Sequence, residues 1–275
     1  MIYIISDLHG CFYTLQKLIE KIRKQDKSPQ FVFVGDYVDR GLHSKECVEF
    51  VIQLQSEGAV CLRGNHDDVI DWLIHKESVT DMREFIPSGI ELNRVNIGSW
   101  WLVNGLFQTI QSYVDMQLQL GENPLDFILQ MFINSIPVEH KNFFRNLKMH
   151  WENDTHFAAH AYLDPTKTLP RTLKFLPSVM NHEMLWSRFP VNQVDIQSYG
   201  QSSPAGVGCS LPVWDKIGVF GHTPMHSYGG LDPIRHGNLR LIDTGAFMGR
   251  SLCAYIVEQD DHILQATDSR DISSY

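Results

Sequence analysis

No apolar run in the 275-residue chain approaches the roughly 18 residues a membrane-spanning helix needs. The opening stretch, MIYIISDLHG, lacks a basic segment followed by a long apolar one, so no secretory leader is expected. Positive charge is in deficit: 23 Lys and Arg against 32 Asp and Glu leave a net charge of −9 with His neutral. That balance argues against nucleic acid, or an anionic membrane, as a partner held by a net basic field. Cysteine is scarce and scattered. Cys11, Cys47, Cys61, Cys209 and Cys253 are odd in number and form no C-x-x-C pair. A disulfide framework and a zinc knuckle are both set aside, and reduced thiols in a cytoplasmic protein are expected. Apolar residues are not lacking. At 43%, with 20% charged, the composition is that of a globular chain with a real core, excluding a largely disordered one.

The first third alternates between strand and helix signals. Ile2 to Ile5, Phe31 to Val34 and Ala59 to Leu62 are short continuous apolar runs, as expected of strands buried on both faces. Between them, Leu15, Leu18, Ile19 and Ile22 mark one face of a helix, and Cys47, Val48, Val51 and Ile52 mark another, with Ser44 as a candidate N-cap. Asp67 or Asp68 could cap the helix that follows the third strand. Strand, helix, strand, helix, strand is the signature of parallel βαβ units in an α/β fold. Residues 77–150 read as a mostly helical, cap-like insertion within a single domain spanning 1–275. Strand runs resume at His156 to Ala159, Ile217 to Phe220, Leu239 to Ile242 and Leu252 to Val257. The Ser-, Gly- and Pro-rich stretch from Gln197 to Pro212 reads as a loop, and residues from about 266 as a polar tail.

The chemistry lies where these strands stop. Asp7-Leu8-His9-Gly10 follows the first, Gly35-Asp36-Tyr37-Val38-Asp39-Arg40-Gly41 the second, and Arg63-Gly64-Asn65-His66-Asp67 the third. His160 and Gly221-His222 end two later strands in the same way. Loops at the carboxyl ends of parallel strands converge on one crevice. Asp7, His9, Asp36, Asn65, His160 and His222 are therefore predicted to meet. Their oxygen and imidazole donors suit Mn, Fe or Zn better than a thiolate-loving metal or a calcium cage. Six donors exceed what one tetrahedral zinc takes and suit a pair of ions sharing a carboxylate. Such a pair, ~3.5–4 Å apart, can clamp a phosphate and acidify a bridging water. D-x-H or G-H alone is a common turn; the ordered recurrence after apolar runs gives the pattern its specificity. The other histidines are assigned to surface or structural roles, with His226 the one near enough to His222 to check.

These motifs, with Trp101 to Gly105 (WLVNG), Leu185 to Arg188 (LWSR), Gly221 to Pro224 (GHTP) and Ile242 to Ala246 (IDTGA), resemble the phosphoprotein phosphatase branch of the calcineurin-like metallophosphoesterases. The likeness runs from Asp7 to about Val257 and is strongest to the bacterial and phage serine/threonine phosphatase group. It implies a four-layer αββα sandwich of mixed sheets and two divalent metal ions, Mn first among the candidates, then Fe or Zn. Carried over by position, Asp7, His9 and Asp36 hold the first ion, Asp36 bridges, and Asn65, His160 and His222 complete the second. His66 is the general acid, oriented by Asp39. Arg40 and Arg188 bind phosphate oxygens, and Arg63 supports them from the edge. The implied activity is phosphomonoester hydrolysis by a bridging hydroxide on a phosphorylated protein or peptide, at serine or threonine and open to dual specificity.

A symmetrical dinucleoside tetraphosphate hydrolase, or a hydrolase of small phosphoesters, is the alternative. Asp39 speaks against the former, because such hydrolases typically carry Ala there; Asp67 after Gly-Asn-His, and the DTGA segment, are shared with them. Three departures bear on substrate preference: Tyr162 where Gly is usual after His-Ala, Leu106 in place of a second Gly, and a long connection from Pro190 to Lys216. The insertion is expected to roof the cleft, with Trp100 and Trp101 packed rather than stacking on substrate.

Overall fold

The computed structural model describes residues 1–77, 80–84, 91–115, 124–164, 166–169, 173, 181–188 and 212–273. The Cys209 thiol, most of the 190–216 connection and the 197–211 part of the expected loop lie outside the described residues.

The early apolar runs pair in parallel: β1 (Ile2–Ile5) beside β2 (Gln30–Phe33), and β2 beside β3 (Val60–Cys61). Parallel neighbours need a crossover, supplied here by α1 (Phe12–Gln25) and α2 (Ser44–Ser56). Side chains alternate along β1. Tyr3 and Ile5 enter the core beneath the helices, while Ile4 enters a second core between the sheets. Both faces are covered, which is why the run is apolar throughout. β9 (Ser251–Ile256) and β10 (Asp261–Ala266) extend this sheet antiparallel, in the order β10-β9-β1-β2-β3.

The second sheet combines β4 (His150–Glu152), β5 (His156–Ala159), β6 (Ile217–Phe220), β7 (Ile234–His236) and β8 (Leu239–Leu241), in the order β4-β5-β6-β8-β7. Its centre is parallel and its edges antiparallel. Ile4, Val32, Val34 and Leu62 meet Ala158, Val219 and Ile242 between the sheets. On the outer face Phe157, Phe220, Leu239 and Leu241 are covered by Met184 of α8 (Asn181–Trp186) and by the turn Met225–Tyr228. Helix, sheet, sheet, helix is the layering that the resemblance implies.

α3 (Asn65–His75) leaves β3, and between it and β4 the described regular elements are helical: a short turn at Met82–Glu84, α4 (Arg94–Trp101), a turn at Leu102–Asn104, α5 (Leu106–Tyr113), α6 (Leu125–Ser135) and α7 (Val138–Arg145). Arg63 fastens this layer to β3. Its guanidinium donates to Asp68 (3.0 Å) and Asp71 (2.9 Å) of α3 and to the carbonyls of Phe144 (2.8 Å) and Arg145 (3.3 Å). Leu106, the departure from a second glycine, is fully buried in this layer.

Two sequence readings are corrected. The residues beyond 266 are not a loose tail: Asp268 and Asp271 are buried. The Asp271 carboxylate accepts from the Tyr13 and Thr14 backbone N–H groups (3.0 and 2.8 Å) and from the Thr14 hydroxyl (2.6 Å). It caps α1, whose own N-cap, Cys11, makes no side-chain capping bond. Ser44 begins α2 without capping it; its hydroxyl accepts from the Asp39 N–H instead (3.1 Å).

Candidate active site

Every strand that contributes a site residue stops just short of it. Asp7 and His9 follow β1, Asp36 follows β2, Asn65 opens α3 after β3, His160 follows β5, and His222 follows β6. Turning the chain so sharply uses unusual backbone. His9, Asp36, Asp39, Arg40 and His222 all have positive φ (42°, 53°, 70°, 71° and 68°). Among the described residues Lys76 and Asp260 are the other non-glycine cases. Such conformations cost about 1–3 kcal/mol each and persist where surroundings over-determine them. Asp67 is one of those surroundings. Its buried carboxylate accepts from the N–H groups of Asp36 (2.8 Å), Tyr37 (3.1 Å) and Gly64 (2.8 Å), tying the second loop to the third. Gly64 must be glycine, since a Cβ there would stand 2.1 Å from Asp36 Oδ1.

Three imidazoles are aimed from behind. His9 Nδ1 donates to the Val38 carbonyl (2.8 Å), His160 Nδ1 to that of Val34 (3.1 Å), and His222 Nε2 to that of Trp186 (3.2 Å). With those protons fixed, the opposite nitrogen of each ring presents a lone pair. His160 Nε2, His222 Nδ1 and Asn65 Oδ1 converge at 2.9, 3.0 and 3.1 Å from one another. Three lone pairs this close, with no proton between them, fit a cation. The Asp36 carboxylate stands between two such groups: Oδ1 is 3.5 Å from His160 Nε2, and Oδ2 is 3.4 Å from His9 Nε2 and 3.9 Å from His66 Nε2. His9, Asp36 and His66 offer ligand atoms within 4.8 Å of one another, as do Asp36, His160 and His222.

Asp7 is positioned differently from the other donors. Both its oxygens accept from the His222 backbone N–H (3.1 and 2.9 Å), and it stands outside the two groups while remaining electrostatically coupled to Asp36. Burial pushes the carboxyls of Asp7 and Asp36 well above the ordinary range, with Asp243 adding to the first and Asp67 to the second. Burial likewise pushes His160 down to about 3 and lowers His9 and His222, which favours the neutral imidazole in all three. Crowded buried carboxylates with neutral imidazoles form a donor set that a dication would stabilise.

His66 sits beside this centre. Its Nδ1 meets Asp39 Oδ2 at 2.7 Å. Asp39 is fully buried, pushed up to about 7 by burial and drawn down by hydrogen bonds from Thr109 and Trp101. Arg40 donates to His9 Nε2 (2.8 Å) and stacks over Phe247, 4.4 Å from the ring centre. Arg188 is exposed and donates to the Thr223 hydroxyl (3.2 Å). A cavity of about 120 Å³ opens between them, lined by Asp36, Arg40, Asn65, His66, Arg188 and His222 among others.

Arg63 does not belong to this cavity. The expectation that it supports the phosphate-binding arginines from the edge is corrected: it is 3% exposed and its guanidinium is held in ion pairs and carbonyl contacts with α3 and α7. His226 is exposed and stays outside both donor groups. Three residues of the site were not foreseen: Asp67, Asp243 and Thr109. Asp243 is buried beyond β8, and its Oδ2 has no hydrogen-bond partner. Its signal was available, since it follows an apolar strand run as the other site carboxylates do.

The profile of the calcineurin-like phosphoesterase family matches residues 1–230, and the chain belongs to that family of metallophosphoesterase hydrolases. Over 253 residues, 91% of this chain and 89% of the relative, it is 26% identical to serine/threonine-protein phosphatase 1 of Salmonella typhimurium. Over 65 residues it is 45% identical to the symmetrical bis(5'-nucleosyl)-tetraphosphatase of Actinobacillus succinogenes, a match spanning 24% of this chain and 23% of that relative. Its fold is similar to that of a crystal structure provisionally described as a diadenosine tetraphosphatase, with TM-score 0.59, 18% identity, and coverage of 98% and 94% of the two chains. Among the described residues no helix is long and apolar enough to cross a membrane.

Proposed function

We propose that the chain is a metal-dependent phosphomonoesterase acting on phosphorylated protein or peptide, most readily at serine or threonine. The observation that carries this reading is the Asp39–His66 contact of 2.7 Å at the wall of a cavity whose opposite groups are cation donors and arginines. A monoester needs a proton delivered to its leaving oxygen, and this pair is built to deliver one. The near full-length likeness to a serine/threonine phosphatase supports the same reading.

Asp7, His9 and Asp36 would hold one ion, and Asp36, Asn65, His160 and His222 the other, Mn being the expected metal. Bound there, the pair would supply positive charge to the phosphoryl oxygens and acidify a water. Arg40 and Arg188 bring planar forks to the remaining oxygens, a better match to phosphate than a lysine point charge. Arg188, exposed and held among the described residues by the Thr223 hydroxyl, reaches the cavity from its rim; Arg40, packed on Phe247, is already in place. His66 presents Nε2 to the cavity because Asp39 takes its Nδ1. Burial drives the imidazole towards neutrality, whereas Asp39 and an incoming phosphoryl dianion favour imidazolium. To act as the acid, His66 needs the charge of the bound phosphoryl group and of Asp39 to offset that burial.

The short, more identical match to tetraphosphatases supports a second reading, hydrolysis of a dinucleoside tetraphosphate. A side-by-side assay of a phosphothreonine peptide, a dinucleoside tetraphosphate and an aryl phosphate, with Mn, separates the two. Higher kcat/KM on the peptide is expected. Preference for the dinucleotide would transfer the assignment, and no turnover of any ester would refute both.

A further inference from the structure

Trp101, Gly105 and Thr109 recur every four residues across α4, the Leu102–Asn104 turn and α5. Between them they touch two consecutive residues: Trp101 and Thr109 contact Asp39, and Gly105 contacts Arg40. Trp101 Nε1 donates to Asp39 Oδ2 (2.5 Å), the oxygen that also meets His66, and its ring packs edge-on against the His66 imidazole with centroids 4.6 Å apart. Thr109 holds Asp39 at both ends. Its hydroxyl donates to Oδ1 (2.6 Å) and accepts from the Asp39 backbone N–H (2.8 Å). The Gly105 carbonyl accepts from the Arg40 N–H (3.3 Å), and a Cβ at Gly105 would stand 2.3 Å from Arg40 N. Asp39 and Arg40 are consecutive non-glycine residues with φ of 70° and 71°, a conformation unfavourable without such support.

We infer that this face is the positioning surface for proton delivery and that Trp101 and Thr109 are specificity-determining positioning residues. They fix Asp39, which fixes His66, and they thereby set how well esters with poor leaving groups are hydrolysed. The inference rests on His66 as the general acid. An alkyl leaving oxygen must be protonated as it departs, whereas an activated aryl oxygen leaves with little help. Loosening the Asp39–His66 pair therefore slows alkyl esters selectively. Loosening a purely structural contact slows both alike.

The test uses the full chain with Mn, and two substrates: a phosphothreonine peptide and para-nitrophenyl phosphate. Trp101→Phe keeps the ring and removes the N–H. Thr109→Val keeps the shape and removes the hydroxyl, and serves if the first variant folds poorly. Each is expected to shift the ratio of kcat on the peptide to kcat on the aryl ester by about tenfold, the scale of one hydrogen bond to a charged group. KM and metal content should hold. In the His66→Asn background, Trp101→Phe should add no further peptide-specific loss, because the two act through one proton. Equal slowing of both substrates, or losses that multiply in the double variant, would overturn the inference. Were His66→Asn itself to slow both esters alike, the acid assignment would fall, and this inference with it.

Discussion

The imidazoles of His9, His160 and His222 are aimed by backbone carbonyls, whereas that of His66 is aimed by side chains. The Val34 and Val38 carbonyls belong to the loop that leaves β2 and the Trp186 carbonyl ends α8, and substitution at any of the three does not remove a carbonyl. The supports of His66 are Asp39, Trp101 and Thr109, the last two on helices far from it in sequence. On the proposed reading, metal ligation is built into backbone at the strand ends, while proton delivery depends on replaceable side chains, Trp101 and Thr109 of the helical layer among them. One half of the site is robust and the other tunable.

The sharpest way to break that comparison is in the robust half, at the residue its two donor groups share. Asp36→Asn should lower occupancy of both ions together and reduce turnover by at least the ~10²–10⁴-fold of a lost catalytic group. Loss of one ion alone, by elemental analysis, would show that Asp36 does not bridge. On the tunable side, His66→Asn should cost ~10²–10⁴-fold in kcat on an alkyl phosphate and leave metal content intact; a metal-free variant would make His66 a ligand, as its place beside His9 and Asp36 allows.

The helical layer itself can be loosened. Arg63→Ala leaves Asp68 and Asp71 buried without their guanidinium, and breaking a buried pair costs ~3–5 kcal/mol. Denaturant unfolding should report that loss, with the folded fraction still binding metal. Proton delivery should suffer more than ligation.

pH separates the halves with a smaller effect. In metal-free protein Asp39 and Asp243 titrate near 7 and 6 when folded, against about 4 when unfolded. Over that interval the folded state holds more protons, so these carboxylates withdraw stability as pH rises. His160, near 3 folded and about 6.5 unfolded, acts in the opposite sense and is spent by about pH 6.5. Between about pH 6.5 and 8 the carboxylate loss is unopposed. Added Mn should therefore raise Tm more at pH 8 than at pH 6, and an equal rise at both would count against the carboxylates as the groups it relieves.

Legibility in the sequence followed the same division. Asp7, His9, Asp36, Asn65, His160 and His222 each follow an apolar run that is buried on both faces, so local pattern located the strand and the donor beyond it. β4, β7 and β10 were not legible, being edge strands of mixed exposure without a continuous apolar run. The burial of Asp271 depends on the end of the chain folding back onto α1, and that of Arg63 on where α7 lies; no nearby spacing records either. Trp101 was rightly expected to be buried, yet its N–H partner is Asp39, 62 positions away.

The central claim is that this chain holds a pair of cations around Asp36. Anomalous diffraction from crystals grown with Mn tests it most directly. Two peaks are expected, flanking the Asp36 carboxylate, one towards His9 and one towards Asn65, His160 and His222. A single peak, or density elsewhere with this cluster empty, would contradict it.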